Sequence, residues 1–177
     1  MLRDETRTHA YHSAFELMKV DFKDKLVMDV GAGTGILSIF AAKAGAKMVY
    51  AIEPSKTNEL ATKLIEENGL SDRIKVIKKK AEELIVLEDL PQVDIIISEW
   101  MGYCLLYEGM LPSVLYARDH FLVKGGLIFP ERAKIFVAGV NDQAYKFYND
   151  LFYQKEHNPY GVSLQALVKQ RRNFVEV

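Results

Sequence analysis

A five-residue stretch that is apolar but for Asp29, Leu26-Val27-Met28-Asp29-Val30, runs directly into Gly31-Ala32-Gly33-Thr34-Gly35 and then into the helical period of Ile36 to Ala44. A strand that ends in a glycine loop and opens a helix narrows the possible folds more than any other feature, because the next parallel strand must be reached through a crossover helix. The rest of the chain keeps that rhythm. Lys47 to Ile52 reads as a second strand, and Ser55 caps a helix to about Asn68 that buries Ala61, Leu64 and Ile65 and stops at Gly69. Arg73 to Ile77 is a third strand, Ala81 to Leu84 a polar helical turn, and Val93 to Ile97 a fourth strand. A helix over Leu111 to Leu122 follows, and Gly125-Gly126 turns into Leu127-Ile128-Phe129. Apolar segments of strand length alternating with helices predict an α/β chain with a Rossmann-like, doubly wound, mostly parallel sheet.

Beyond Pro130 the pattern changes. Ala133 to Val140 reads as a further strand, Asp142 to Tyr153 as an aromatic-rich amphipathic helix, and Lys155 to Val177 as a tail without a strong period. Phe129-Pro130-Glu131-Arg132 has the look of a joint between modules. Three segments result: a helical one over 1–25, the sheet domain over 26–131, and the beginning of a second module over 132–177.

At 177 residues the chain is long enough for one domain with a sizeable core. With 23 basic against 24 acidic side chains, it carries no global electrostatic footprint for nucleic acid or an anionic membrane. Cys104 is the single cysteine, so no intrachain disulfide can form, and a reduced compartment is expected. No apolar run reaches the length of a membrane span, and Met1-Leu2-Arg3-Asp4-Glu5 lacks the apolar core of a signal peptide. These features predict a soluble chain of the cytoplasm, the nucleus or both. His9, His12, His120 and His157 show no metal-ligand spacing with cysteine or acids, so no metal is expected.

The glycine loop is spaced G-x-G-x-G and departs from the dinucleotide pattern G-x-G-x-x-G. Its glycines let a ligand approach the backbone at the carboxyl edge of the sheet. Glu53, at the end of the second strand and 20 residues beyond Gly33, can accept hydrogen bonds from both hydroxyls of a ribose. A carboxylate there repels a 2′-phosphate, which disfavours a phosphorylated nicotinamide cofactor. After the third strand, Glu82 or its neighbour Glu83 can accept an adenine amine, while Lys78-Lys79-Lys80 reads as a solvated turn.

Ser98-Glu99-Trp100-Met101-Gly102-Tyr103-Cys104-Leu105-Leu106-Tyr107-Glu108-Gly109-Met110 follows the fourth strand. Two carboxylates, Glu99 and Glu108, flank a glycine-hinged aromatic loop and can close around one cation. A guanidinium, with five donors in a planar fork, matches two such partners. Trp100, Tyr103 and Tyr107 can add cation-attracting faces. Cys104 has no partnered histidine in the loop and is not expected to act as a nucleophile.

Taken together, Asp29-Val30-Gly31-Ala32-Gly33-Thr34-Gly35, Glu53, Ala81-Glu82-Glu83 and the segment from Ser98 to Glu108 resemble the protein arginine methyltransferases. The resemblance covers roughly Met1 to Tyr153 and is most specific in the glutamate loop, called the double-E loop in that family. It implies S-adenosylmethionine as cofactor, S-adenosylhomocysteine as product, and no metal. Asp29, Gly31 and Gly33 would belong to the cofactor site, with the two glycines along the methionine moiety. Glu53 would hold the ribose and Glu82 would contact adenine. Arg7, in the opening helix, would pair with the cofactor's carboxylate. Met1 and Met110 match positions near the substrate pocket and lean towards asymmetric dimethylation, as in type I members.

The resemblance implies that Glu99 and Glu108 hold the guanidinium of a protein arginine, in substrates such as histones or Arg/Gly-rich proteins, while a methyl group is transferred to its nitrogen. Membranes are not expected as partners, nor nucleic acid as a direct substrate, and the full-length protein is expected to be a homodimer. The family's β-barrel and dimerisation arm lie beyond the joint, so the chain reads as a catalytic core fragment that includes the start of the barrel and can be inactive in isolation. Two other classes stay open: a regulatory or interaction module that binds the cofactor without catalysis, and a methyltransferase acting on another amine or on nucleic acid.

Overall fold

The computed structural model describes residues 4–141, 143, 160–164, 166 and 167. Two compact units divide the chain, Met1–Ile135 and Phe136–Val177. The first holds all the strands found among the described residues. These are β1 (Leu26–Val30), β2 (Met48–Ile52), β3 (Ile74–Ile77), β4 (Val93–Ile97) and β5 (Leu122–Phe129). They form one sheet in the order β3-β2-β1-β4-β5, and every pairing is parallel. The order reverses at β1, so β1 and β4 leave a crevice at their carboxyl ends, where doubly wound sheets bind ligands.

Among the described residues, five helices cover the sheet: α1 (Glu5–Leu17), α2 (Lys19–Phe22), α3 (Ile36–Lys43), α4 (Thr57–Glu67) and α5 (Leu111–Phe121). Strand side chains alternate between the two faces. Val27, Val49, Ala51, Ile95 and Ile97 pack with α1, α3 and α4 residues such as Phe15, Leu37 and Ile65. Met28, Val30, Ile52 and Ile96 pack on the other face with Val114, Ala117 and Phe121 of α5. The buried stretches Val27 to Val30 and Ile95 to Ile97 are continuous because both faces are covered.

Helix α1 begins where Asp4 accepts the Arg7 backbone N–H at 3.0 Å. It docks through Phe15, whose ring lies 4.7 Å from that of Phe22 and 5.8 Å from that of Phe129, centroid to centroid. That aromatic cluster ties the helix to the end of β5 and so fixes what α1 presents to the crevice. Helix α4 starts at Thr57, whose N–H donates to Ser55 Oγ at 3.2 Å. Asn58 in its first turn is buried and donates from its amide to the Ser55 carbonyl.

Two expectations need correction. Residues 131–141 form no strand and are exposed throughout, with Phe136 and Val137 among the most exposed apolar side chains. An apolar run becomes a strand only where a neighbour pairs with its backbone, and no described residue does so. Strand β5 does not wait for Gly125-Gly126 but starts at Leu122 and carries the glycines inside it. Between the pairs Val93↔Leu122 and Ile95↔Leu127, β4 advances two residues and β5 five, so the glycines lie in a bulge. A Cβ at Gly126 would fall 2.7 Å from the Asp94 carbonyl oxygen, which explains the residue type. The expected helix over Asp142 to Tyr153 and nearly all of the tail from Lys155 lie outside the described residues. Among the described residues no helix is long and apolar enough to cross a membrane.

Candidate active site

The glycine loop leaves β1 with Gly31, Gly33 and Gly35 at φ of +71°, +53° and +78°, a region open to glycine and strained for other residues. The N–H groups of Gly31 and Ala32 both donate to the Ile52 carbonyl at 3.0 Å, which holds the loop against β2. Glu53, one residue further, is buried and accepts from two backbone N–H groups. Gly33 donates to its Oε2 at 2.8 Å and Ser55 to its Oε1 at 2.9 Å. Both oxygens are thereby oriented, and an ionised carboxylate still has lone pairs for two more donors.

Glu53 and Gly31 line a cleft of about 630 Å³ with Val30, Ile52, Pro54, Lys80 to Glu83, Met110 and Ser113. The polar turn after β3 is a 3₁₀ turn, Ala81–Glu83, and it separates the two candidate acids there. Glu83 accepts the Lys80 N–H at 2.9 Å and closes its own turn. Glu82 is held below the ordinary carboxylate range by the Ser113 hydroxyl and by its own backbone N–H, with Lys80 assisting against partial burial. It stays an ionised acceptor in the cleft. Ser113 had no sequence signal, because its link to Glu82 crosses from α5.

Asp29 does not line this cleft. It is fully buried beneath the loop, and the equally buried Ser38 donates to its Oδ2 at 2.6 Å. Its Oδ1 is buried without a hydrogen-bond partner. Burial raises its pKa to about 7, opposed by the Ser38 hydrogen bonds, with Glu53 adding to the rise. The side chain that opens the glycine motif therefore braces α3 against β1.

Beyond β4 the structure gathers α1 and the glutamate loop. Arg7 Nη1 lies 3.0 Å from Glu99 Oε2, and its Nε lies 3.3 Å from Asp4 Oδ2. Arg7, expected on a cofactor carboxylate, is here the partner of Glu99. The Glu99 side chain is 14% exposed, and its Oε1 is buried with no hydrogen-bond partner. The loop turns back on itself at Gly102-Tyr103-Cys104-Leu105, where Gly102 and Leu105 exchange N–H···O bonds of 3.0 and 2.9 Å. Cys104 and Leu105 take positive φ, +48° and +66°. The return packs Glu108 on Gly102 so closely that a Cβ there would fall 2.6 Å from Glu108 Cγ. Glu108 itself is exposed.

Trp100 is buried in the core on the α5 side, whereas Tyr103 and Tyr107 are 84% and 82% exposed. The tyrosines can face a substrate and the tryptophan anchors the loop. Met110 lines the nucleoside-sized cleft instead of a separate pocket, and a Cβ on Gly31 would collide with its Cε. Met1 lies outside the described residues. Among those residues no group of three His, Cys, Asp or Glu is placed to hold a metal ion.

The parallel sheet, its glycine loop and the acid at the end of β2 define a doubly wound domain built to hold a nucleoside at the carboxyl ends of its strands. A family model described as "Ribosomal protein L11 methyltransferase (PrmA)" matches residues 10–112, more than half of the chain. Protein arginine N-methyltransferase 1 of Saccharomyces cerevisiae is 55% identical over 82% of this chain and 41% of its own length. Protein arginine N-methyltransferase 8-B of Danio rerio is 50% identical over 94% of this chain and 39% of its own. The solved structure "Trypanosoma brucei PRMT1 enzyme-prozyme heterotetrameric complex with AdoHcy" superposes with a TM-score of 0.78 at 42% identity, covering 96% of this chain and 52% of that one. The chain belongs to the methyltransferases and, within them, to the protein arginine N-methyltransferase family. It spans about two fifths of the length of the curated relatives it matches.

Proposed function

We propose that this chain is the catalytic core of an enzyme that transfers a methyl group from S-adenosylmethionine to a guanidinium nitrogen of arginine in protein substrates. The observation that carries the reading is Glu99: a largely buried carboxylate whose Oε2 is held by Arg7 and whose Oε1 has no donor. A guanidinium is the natural occupant of such an acceptor when a second carboxylate, Glu108, stands on the same loop.

The residues present fit the cofactor. Gly31, in left-handed backbone, keeps a side chain off the floor of the cleft, Glu53 offers oriented acceptors to ribose hydroxyls, and Glu82 offers an ionised acceptor to an adenine amine. When bound, S-adenosylmethionine supplies a methyl group on a sulfonium, the electrophile that a guanidinium nitrogen takes, leaving S-adenosylhomocysteine.

The protein's own share is binding and electrostatics. Arginine has a pKa above about 12, so its nitrogen lone pairs are delocalised and the group stays charged at neutral pH. Glu99 and Glu108 hold the planar fork, draw positive charge away from the attacking nitrogen and stabilise the charge of the transition state. Arg7 holds Glu99 aligned through the contact of its Nη1 with Oε2, and one of the two carboxylates takes the departing proton. The near-neutral charge and single cysteine support a protein that works in the cytoplasm or nucleus on proteins with accessible arginines. As in the heterotetrameric relative, assembly of the full-length protein into at least a dimer belongs to this proposal.

The test is transfer of labelled methyl from S-adenosylmethionine to an Arg/Gly-rich peptide by the full-length protein. Glu108→Gln is expected to abolish transfer and to retain S-adenosylhomocysteine binding. Unchanged turnover in that variant would remove Glu108 from the mechanism. Tight nucleoside binding with no transfer to any arginine peptide would favour the noncatalytic module.

A further inference from the structure

Ser98, the residue before Glu99, is fully buried, and each of its polar groups is taken by a different element. Its N–H donates to the Phe129 carbonyl of β5 at 2.9 Å. Its hydroxyl donates to the Val30 carbonyl at the end of β1 at 2.8 Å. Its carbonyl accepts the Tyr11 hydroxyl of α1 at 2.9 Å. Val30 is the residue before Gly31, so one serine joins the start of the glycine loop, the end of β5 and the entry helix to the backbone that carries Glu99.

Tyr11 stands four residues after Arg7, so the two side chains share one face of α1. Arg7 grips Glu99 and Tyr11 grips Ser98, consecutive residues of one segment. The Tyr11 hydroxyl also lies 4.0 Å from Met101 Sδ. Burial, together with the nearby Glu99 and Asp29 carboxylates, pushes the phenol pKa further up, against a smaller effect of Arg7. Tyr11 therefore remains a hydrogen-bond donor across the whole physiological range.

We propose that Tyr11 and Ser98 form a positioning latch that sets where Glu99 stands relative to the glycine loop, so that the substrate carboxylate is held in register with the cofactor cleft. The latch deepens the arginine-methyltransferase reading and rests on it for its catalytic consequence. Its mechanical consequence stands alone. Ser98 fixes the backbone unit that follows β4, and Tyr11 ties that unit to α1. The cleft is lined by residues at the ends of β1 and β2, the 3₁₀ turn and the start of α5, with no residue of α1, so removing the Tyr11 hydroxyl leaves nucleoside affinity unchanged.

Tyr11→Phe removes one hydroxyl and keeps the ring, which packs edge-on to Phe15 at 6.1 Å. Trp100, the single tryptophan, lies two residues from Ser98 and reports the loop by fluorescence. In this chain Tyr11→Phe is expected to raise acrylamide quenching of Trp100 at least about twofold, with S-adenosylhomocysteine affinity within about twofold of the parent. In the full-length enzyme it is expected to lower kcat about tenfold, with the KM for S-adenosylmethionine nearly unchanged. Ser98→Ala is expected to reproduce the quenching change, and the double variant to add little to either single one. Parent-like quenching in both single variants overturns the latch, as does a fully additive double variant. Absence of methyl transfer in the parent would refute the arginine-methyltransferase reading, while the quenching arm would still decide the latch.

Discussion

Asp29→Asn isolates the consequence of burying a carboxyl under the glycine loop. Asparagine has the same outline and can accept the Ser38 hydroxyl through its own oxygen, but it does not titrate. The parent Asp29 is fully buried, with a pKa raised from the ordinary 3.8 to about 7, chiefly by desolvation. The folded chain therefore holds this proton more tightly than the unfolded chain. The group's stabilising contribution is fully present below about pH 4 and is lost as pH rises to about 7, after which it is constant. A rise of about 3 pKa units at about 1.4 kcal/mol each amounts to about 4 kcal/mol. Urea denaturation of both proteins between pH 4 and pH 8, followed by Trp100 fluorescence, measures it. Titrating groups that do not interact with Asp29 cancel in the difference between the two proteins. The parent is expected to lose about 4 kcal/mol relative to Asp29→Asn across that range, with the change flattening above about pH 7. A difference that does not vary with pH would mean that Asp29 titrates alike in folded and unfolded chains and that its burial carries no cost for the charge.

Gly126→Ala drives a Cβ into the Asp94 carbonyl oxygen and Leu122 inside the β4–β5 bulge, and backbone there cannot yield as a side-chain tip can. It is expected to destabilise the chain by about 2 kcal/mol, a drop of roughly 1 M in the urea midpoint. Gly33→Ala is the paired control, since nothing lies within 4 Å of its Cβ and only the +53° φ opposes it, so its loss should be nearer about 1 kcal/mol. Glu53→Gln leaves one of the Gly33 and Ser55 N–H groups facing an amide instead of an oxygen. Calorimetry is expected to show S-adenosylhomocysteine binding at least about tenfold weaker, and unchanged affinity would take Glu53 out of the ribose site.

What the sequence makes legible here is what local rules dictate. Strands β1 and β4 run over Leu26–Val30 and Val93–Ile97, because continuous burial on both faces selects the same apolar residues that mark a strand. The glycine loop was legible because left-handed backbone leaves its mark in residue type. The bulge in β5 was not, since it depends on the approach of β4, and the apolar run at residues 133–140 was misleading because alternation cannot report a missing partner strand. At the site, Glu53 and Glu82 follow strand ends and were readable from position. Ser38, Ser98 and Tyr11 were missed. Ser98 meets Val30 and Tyr11 across 68 and 87 residues, and serine or tyrosine at such separations leaves no spacing to detect. Arg7 shows the same limit, for its Glu99 partner lies 92 residues away and belongs to a different part of the sequence argument.

If Glu99 and Glu108 serve a guanidinium, the modified residue in the product is arginine. The measurement is mass analysis of an acid hydrolysate after the full-length protein has acted on a peptide containing both arginine and lysine with S-adenosylmethionine. Methylarginine is the expected product, with none formed by Glu99→Gln or Glu108→Gln. Methyllysine as the product, or methylarginine formed equally by the parent and both variants, would contradict it.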